Sequence, residues 1–121
     1  MSARKFVHLE IPAAKAADAA KFYRELFGWE IQRDEAMDYT MFDTGGLGGG
    51  FSLVGQNGTK PGDVLLYIGS EDIEADLKAI AAAGGEVVMP KSEIPTVGWF
   101  AVFKDPTGNR MALYTSMNPG G

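Results

Sequence analysis

Apolar and polar positions alternate along Phe6 to Ile11, which predicts a short strand. Pro12 is expected to end it, because proline removes a ladder donor. From Lys15 to Phe27 the period becomes helical. Ala16, Ala19, Ala20, Tyr23, Leu26 and Phe27 fall on one stripe, while Lys15, Asp18, Lys21 and Glu25 fall elsewhere. Gly28 stands where a left-handed helix cap is wanted. Trp29 to Arg33, Tyr39 to Asp43 and Phe51 to Val54 then read as strands.

The second half runs through the same order. Val64 to Ile68 predicts a strand, and Ser70-Glu71-Asp72 offers capping side chains. Ile73, Leu77, Ile80 and Ala81 make the apolar stripe of a second helix, which Gly84-Gly85 ends. Glu86 to Met89, Trp99 to Lys104 and Arg110 to Thr115 supply three more strands. Gly28, Glu30 and Ile31 correspond to Gly84, Glu86 and Val87, each 56 positions on, so the chain reads as β-α-β-β-β twice. Such a unit cannot easily bury its sheet face alone. Two units should therefore pair, within one chain or across a dimer, as curved sheets around a cleft with the helices outside. The expected layout is module one at 4–55, a breaker-rich linker at 56–62 and module two at 63–117. Asp105-Pro106-Thr107-Gly108-Asn109 suits a tight hairpin between the last two strands.

Composition narrows the classes. A length of 121 residues suits a single domain, and 45% hydrophobic with 22% charged residues is ordinary for a globular chain. Only Met117 to Gly121 looks loose. The net charge of -5 argues against nucleic acid, which needs a basic stripe, and against anionic membrane surfaces. No apolar run approaches a membrane span and no signal core follows Met1, so a cytoplasmic location is expected. With no cysteine there is no thiolate nucleophile or thiolate metal site.

Four stretches carry a likeness: Val7-His8-Leu9-Glu10-Ile11-Pro12, Ala20 to Trp29, Ile80 to Gly85, and Phe103 to Asn109. Through them the chain resembles the vicinal oxygen chelate superfamily, the group of glyoxalase I, extradiol dioxygenases, methylmalonyl-CoA epimerase, and fosfomycin- and bleomycin-resistance proteins. The resemblance implies an α+β fold of the glyoxalase and bleomycin-resistance type and a homodimer. It also implies a divalent metal held by one residue from the first and last strand of each module. His8 falls at the first such position. The others offer Phe51, Ser52 or Leu53, then Leu65, then Ala112, and a phenylalanine, a leucine and an alanine give a cation nothing. A catalytic zinc or iron site needs at least three protein ligands, so neither metal nor other cofactor is expected.

Strand alternation puts Phe6, His8 and Glu10 on one face, with Val7, Leu9 and Ile11 on the other. By the same rule Leu65, Tyr67, Ala112 and Tyr114 should look into the cleft. With Phe51 and Trp99 they make a candidate wall for a small, partly apolar ligand. His8 and Glu10 are the candidate catalytic pair, His8 as base or donor with Glu10 or a tyrosine setting its tautomer. The plainer reading makes His8 a polar residue lining the cleft. Which of the sets Tyr39, Met41, Asp43 and Thr40, Phe42 faces inward is open, and Trp99 or Phe100 could equally be core. Gly45 to Gly50, apart from Leu47, fits no phosphate-loop register and reads as a flexible hairpin or bulge at the cleft mouth. The leading expectation is a metal-independent small-molecule-binding protein. The alternative is a lyase, isomerase or dioxygenase-like enzyme using His8 and Glu10, and a partner-binding module is a third possibility.

Overall fold

The structure is a computed structural model that describes residues 3–117. Met117, expected to be loose, donates its backbone N–H to Val97 O at 2.9 Å, and the rest of the expected tail lies outside the described residues. His8–Leu65 forms one compact unit. Leu66 onward, with the residues up to Val7, forms a second.

The first unit contains β1 (Phe6–Ala13, beginning in the other unit), α1 (Ala16–Phe27), β2 (Glu30–Asp34), β3 (Tyr39–Asp43) and β4 (Gly49–Leu53). Its strand order is β2-β3-β4-β1, with β1 parallel to β4 and the other pairs antiparallel. The second unit contains β5 (Leu65–Gly69, beginning in the first unit), α2 (Ile73–Ala82), β6 (Glu86–Ile94), β7 (Gly98–Lys104) and β8 (Arg110–Ser116). Its order is β6-β7-β8-β5, with β5 parallel to β8. The chain thus builds the same β-α-β-β-β topology twice, in the mixed α+β class the sequence predicts.

Two prolines sit inside strands rather than ending them. Leu9 N–H reaches Gly48 O in the loop before β4, so alternation turns the nitrogen of Pro12 away from β4, where no donor of that ladder is lost. Pro90 lies in β6 within the register shift between Met89 and Ser92, and the strand continues past it to Ile94. An irregular strand at the end of its unit's ladder tolerates a missing donor.

The first core lies between α1 and its sheet. Ala13, Ala20, Phe42 and Phe51 are buried there, with Leu9, Ile11, Ala16, Ala19, Tyr23, Trp29 and Ile31 packed around them. Small residues on the first turns of α1 let it sit close. Tyr23 then stacks on Trp29 at 4.7 Å, and Trp29 stacks on Phe42 at 4.7 Å. Because Trp29 occupies the inner position, Leu26 and Phe27 do not go under the helix as their stripe predicts; they remain 63% and 61% exposed. The second core joins Ile73 and Leu77 of α2 to Ala101, Phe103 and Leu113. Asp72 caps α2 by accepting from Ala75 N–H. At the other end Gly84, at φ 97°, allows Gly85 N–H to reach Ile80 O at 2.8 Å, a Schellman closure.

Gly49 and Gly50 differ from the turn glycines before them. Both are buried in β4, so only the part of the run ahead of them is loop. A Cβ at Gly49 would lie 2.0 Å from Leu9 O and 2.8 Å from the Phe42 ring; one at Gly50 would lie 2.0 Å from the Tyr39 ring. These residues set how closely β1, β3 and β4 approach.

Arg4 anchors the segment before β1. Its guanidinium makes a two-point contact with Asp76 on α2, at 2.6 and 3.1 Å, and Ser70 Oγ donates to the same carboxylate at 2.6 Å. The Asp105 hairpin forms as expected: Oδ1 accepts the N–H groups of Thr107, Gly108 and Asn109.

Gly49→Ala should cost about 1–3 kcal/mol or more in urea denaturation, since a backbone carbonyl cannot yield to the new methyl. Gly46→Ala, whose Cβ would meet only Thr44 Oγ1 at 3.8 Å, should stay within about 0.5 kcal/mol. Equal losses would refute the close-approach role. For Asp76, the Arg4 hydrogen bond, aided by that from Ser70, outweighs burial and holds the carboxyl below its usual range. Its stabilisation is therefore present above the unfolded value of about 3.9 and fades as pH falls through the lower native value. Asp76→Asn should narrow its stability gap to the parent as denaturation is repeated from pH 7 down to pH 3. A gap independent of pH would show that the charge is not what matters.

Candidate functional site

The backbone of the first unit places His8 and Glu10 on the face of β1 away from α1, while Leu9, Ile11 and Ala13 join the α1 core. On β3, Phe42 belongs to that core, so Tyr39 and Met41 face the other way. Tyr39 then reaches across β4. Its ring occupies the space a side chain at Gly50 would fill, and Gly50 is paired with both Glu10 and Met41.

The result is a chain of three side chains. Tyr39 Oη donates to Glu10 Oε2 at 2.8 Å, and His8 Nε2 lies 2.9 Å from the same hydroxyl. Glu10 is buried at 9% exposure and His8 is half-buried. Burial pushes the His8 imidazole below its usual pKa, and the nearby Glu10 charge partly opposes that shift. His8 is accordingly neutral at neutral pH, suited to accepting or donating a hydrogen bond.

Sequence reasoning picked out His8 and Glu10 but left the face of Tyr39 open. The available signal was Gly50: a glycine within a strand marks close approach of another group, here the Tyr39 ring. Phe51, expected at the ligand, points instead into the α1 core beside Phe42 and Tyr23. Its neighbour Ser52, also buried, takes the His8 side of β4.

In the second unit Tyr67 pairs with Ala112, and Tyr114 with Phe100, on the sheet face away from α2. Leu65 shares the side of Tyr67 by alternation and is buried. Tyr114 Oη approaches Val97 O at 3.5 Å. Trp99 goes to the opposite face, against the α2 core, with Lys91 Nζ 5.1 Å from its ring centroid. Phe100 is therefore the aromatic that shares a face with Tyr67, Ala112 and Tyr114. A shallow hollow of about 470 Å³ lies elsewhere, lined by residues including Ile11, Ala13, Lys15, Asp18 and Tyr23, and holds none of the three linked side chains.

The donor set does not fit a metal of the kind the superfamily resemblance implies. At the strand positions the resemblance assigns to the other ligands the chain carries Ser52, Leu65 and Ala112, and His8 Nε2 is engaged by Tyr39. Among the described residues no group of three or more histidine, cysteine, aspartate or glutamate side chains could hold a metal ion. What the three linked residues can do is present a neutral imidazole, oriented by a hydroxyl that a carboxylate holds in place.

Comparison with known proteins agrees with the topology. The chain is 28% identical over 87% of its length to the anthracycline biosynthesis protein DnrV of Streptomyces peucetius, and the match covers 44% of that protein. It thus spans under half the length of that relative. A glyoxylase-like domain-containing protein of Didymella fabae is 28% identical over 88% of this chain and 90% of its own. Among solved structures, a Streptomyces coelicolor methylmalonyl-CoA epimerase in complex with 2-nitronate-propionyl-CoA matches with a TM-score of 0.65. That match has 18% identity and covers 97% of this chain and all of that one. No helix among the described residues is long and apolar enough to cross a membrane. The sequence profile of the Glyoxalase/Bleomycin resistance protein/Dioxygenase superfamily matches residues 5–113, and the chain belongs to that superfamily.

Proposed function

We propose that this protein binds a small, partly aromatic molecule without a metal of its own, at the residues around His8. The observation that carries the reading is the His8–Tyr39–Glu10 chain, which commits Nε2 of the imidazole to a hydrogen-bonded neighbour. The residue types at the other superfamily metal positions support it. The anthracycline biosynthesis relatives suggest a planar aromatic ligand carrying hydroxyl or carbonyl groups.

Purified protein stripped with a chelator should bind an anthracycline as tightly as untreated protein in equilibrium dialysis, and elemental analysis should find metal well below one equivalent. Stoichiometric metal whose removal abolishes binding would overturn the reading. Recovery of a converted ligand instead of the original would favour the acid–base enzyme that uses His8 and Glu10.

The site also makes a prediction about pH. A lowered native pKa means that the unfolded chain protonates His8 more readily. His8 therefore costs no stability above about pH 6.5 and destabilises progressively as pH falls from there to the native value. Glu10→Gln removes the charge that draws the native value upward, so it should lower the His8 midpoint further. The ring-proton NMR titration of this sole histidine reads the midpoint directly. An unchanged or raised midpoint would show that Glu10 does not act on the ring through its charge.

A further inference from the structure

Three large apolar side chains of α1 stand in solvent: Phe22 is 53% exposed, Leu26 63% and Phe27 61%. The Phe22 ring meets Tyr23 edge-on at 5.2 Å and Phe27 at 6.4 Å, so the exposed rings form one surface with the stack beneath the helix. Phe22 and Leu26, four residues apart, make a ridge along the side of α1. Lys21 and Glu25 run beside that ridge at the same spacing, and among the described residues neither takes part in an ion pair. Together the three apolar side chains leave on the order of 300 Å² uncovered, the size at which a patch on a monomer is often an interaction site.

We propose that this surface is the contact between two copies of the chain, with their α1 helices packed antiparallel across a two-fold axis level with Tyr23. The charges beside the ridge select a second copy as the occupant. An antiparallel two-fold sets each residue opposite the one equally far beyond its centre. Centred at position 23, it brings Lys21 of each copy level with Glu25 of the other. The same centre places the Phe22 ring of each copy between Phe22 and Leu26 of the other, ridge into groove. A partner of one sign would meet repulsion at either Lys21 or Glu25, whereas a copy of the same helix answers both. Area sets the strength. The apolar part of the contact buries about 600 Å² over both copies, short of the roughly 1,200–2,000 Å² of a standard stable interface even with its charged flanks added. The dimer is therefore weak, with a Kd on the order of 100 μM.

Sedimentation equilibrium from about 10 μM to 1 mM tests this, in about 0.15 M salt to screen long-range repulsion between acidic chains. The parent should pass from monomer to dimer over that range. Phe22→Asp should raise Kd at least about thirtyfold, because it puts a charge into both halves of the contact. Its circular dichroism should match the parent, since Phe22 is more than half exposed. Lys21→Glu and Glu25→Lys should each weaken the dimer about fivefold by setting like charges opposite each other. An equimolar mixture of those two variants should associate at least as tightly as the parent, because each then meets its opposite across the axis. A chain monomeric throughout overturns the proposal and leaves the patch to a different partner. A dimer unmoved by Phe22→Asp also overturns it, since the contact would lie on another surface. A mixture no tighter than its components overturns the antiparallel register.

Discussion

The close approach of β4 to its neighbours is the constraint on which the first unit depends, and it exists because positions 49 and 50 carry no side chain. The two glycines serve opposite faces. Gly49 admits the Leu9 carbonyl and the Phe42 ring on the α1 side; Gly50 admits the Tyr39 ring on the other. A methyl at the first would push against backbone, and one at the second against an aromatic ring. One stretch of β4 thus couples the packing of the α1 core to the placement of Tyr39, and through Tyr39 to His8 and Glu10. Stability and chemistry in this unit share a steric origin.

The two units repeat a topology but not a way of filling it. Beneath α1 the space is taken by stacked aromatics, Tyr23 on Trp29 on Phe42, with alanines where helix and sheet come closest. Beneath α2 the contacts are aliphatic, Ile73 and Leu77 against Leu113, with Phe103 the buried aromatic. Large flat rings fill the space under α1, and Leu26 and Phe27 stay exposed. The aliphatic core under α2 takes most of its predicted stripe, and only Ala81 of that set is exposed. Repeat topology is therefore compatible with different packing, because β-α-β-β-β connectivity constrains strand order and leaves the choice of side-chain volume to each half.

Most of the fold was legible because its signals are local. Helical period, the stops at Gly28 and Gly84, and the Asp105 turn each act within a few residues, and the structure contains all of them. Strand ends were less legible at Pro12 and Pro90, because the cost of a proline depends on which way its nitrogen points, and that is set by the neighbouring strand. The same limit explains the site. His8 and Glu10 could be assigned a face because the other face of β1 is aliphatic. Tyr39-Thr40-Met41-Phe42-Asp43 carries an aromatic on each face, so alternation alone could not choose. Trp99 and Phe100 are adjacent aromatics with the same ambiguity, and β7 resolves it by packing Trp99 against the α2 core.

A lone histidine in a chain of this superfamily invites a reading in terms of what is missing. The geometry supplies a positive description instead. His8 Nε2 is engaged by the Tyr39 hydroxyl, which itself donates to Glu10. Ligation through that atom would mean breaking the Tyr39 hydrogen bond. Retaining the bond asks only for a carboxylate at position 10 and a tyrosine at position 39, both present and both held by the backbone. The single imidazole is thus one end of a hydrogen-bond chain that runs through Tyr39 to Glu10.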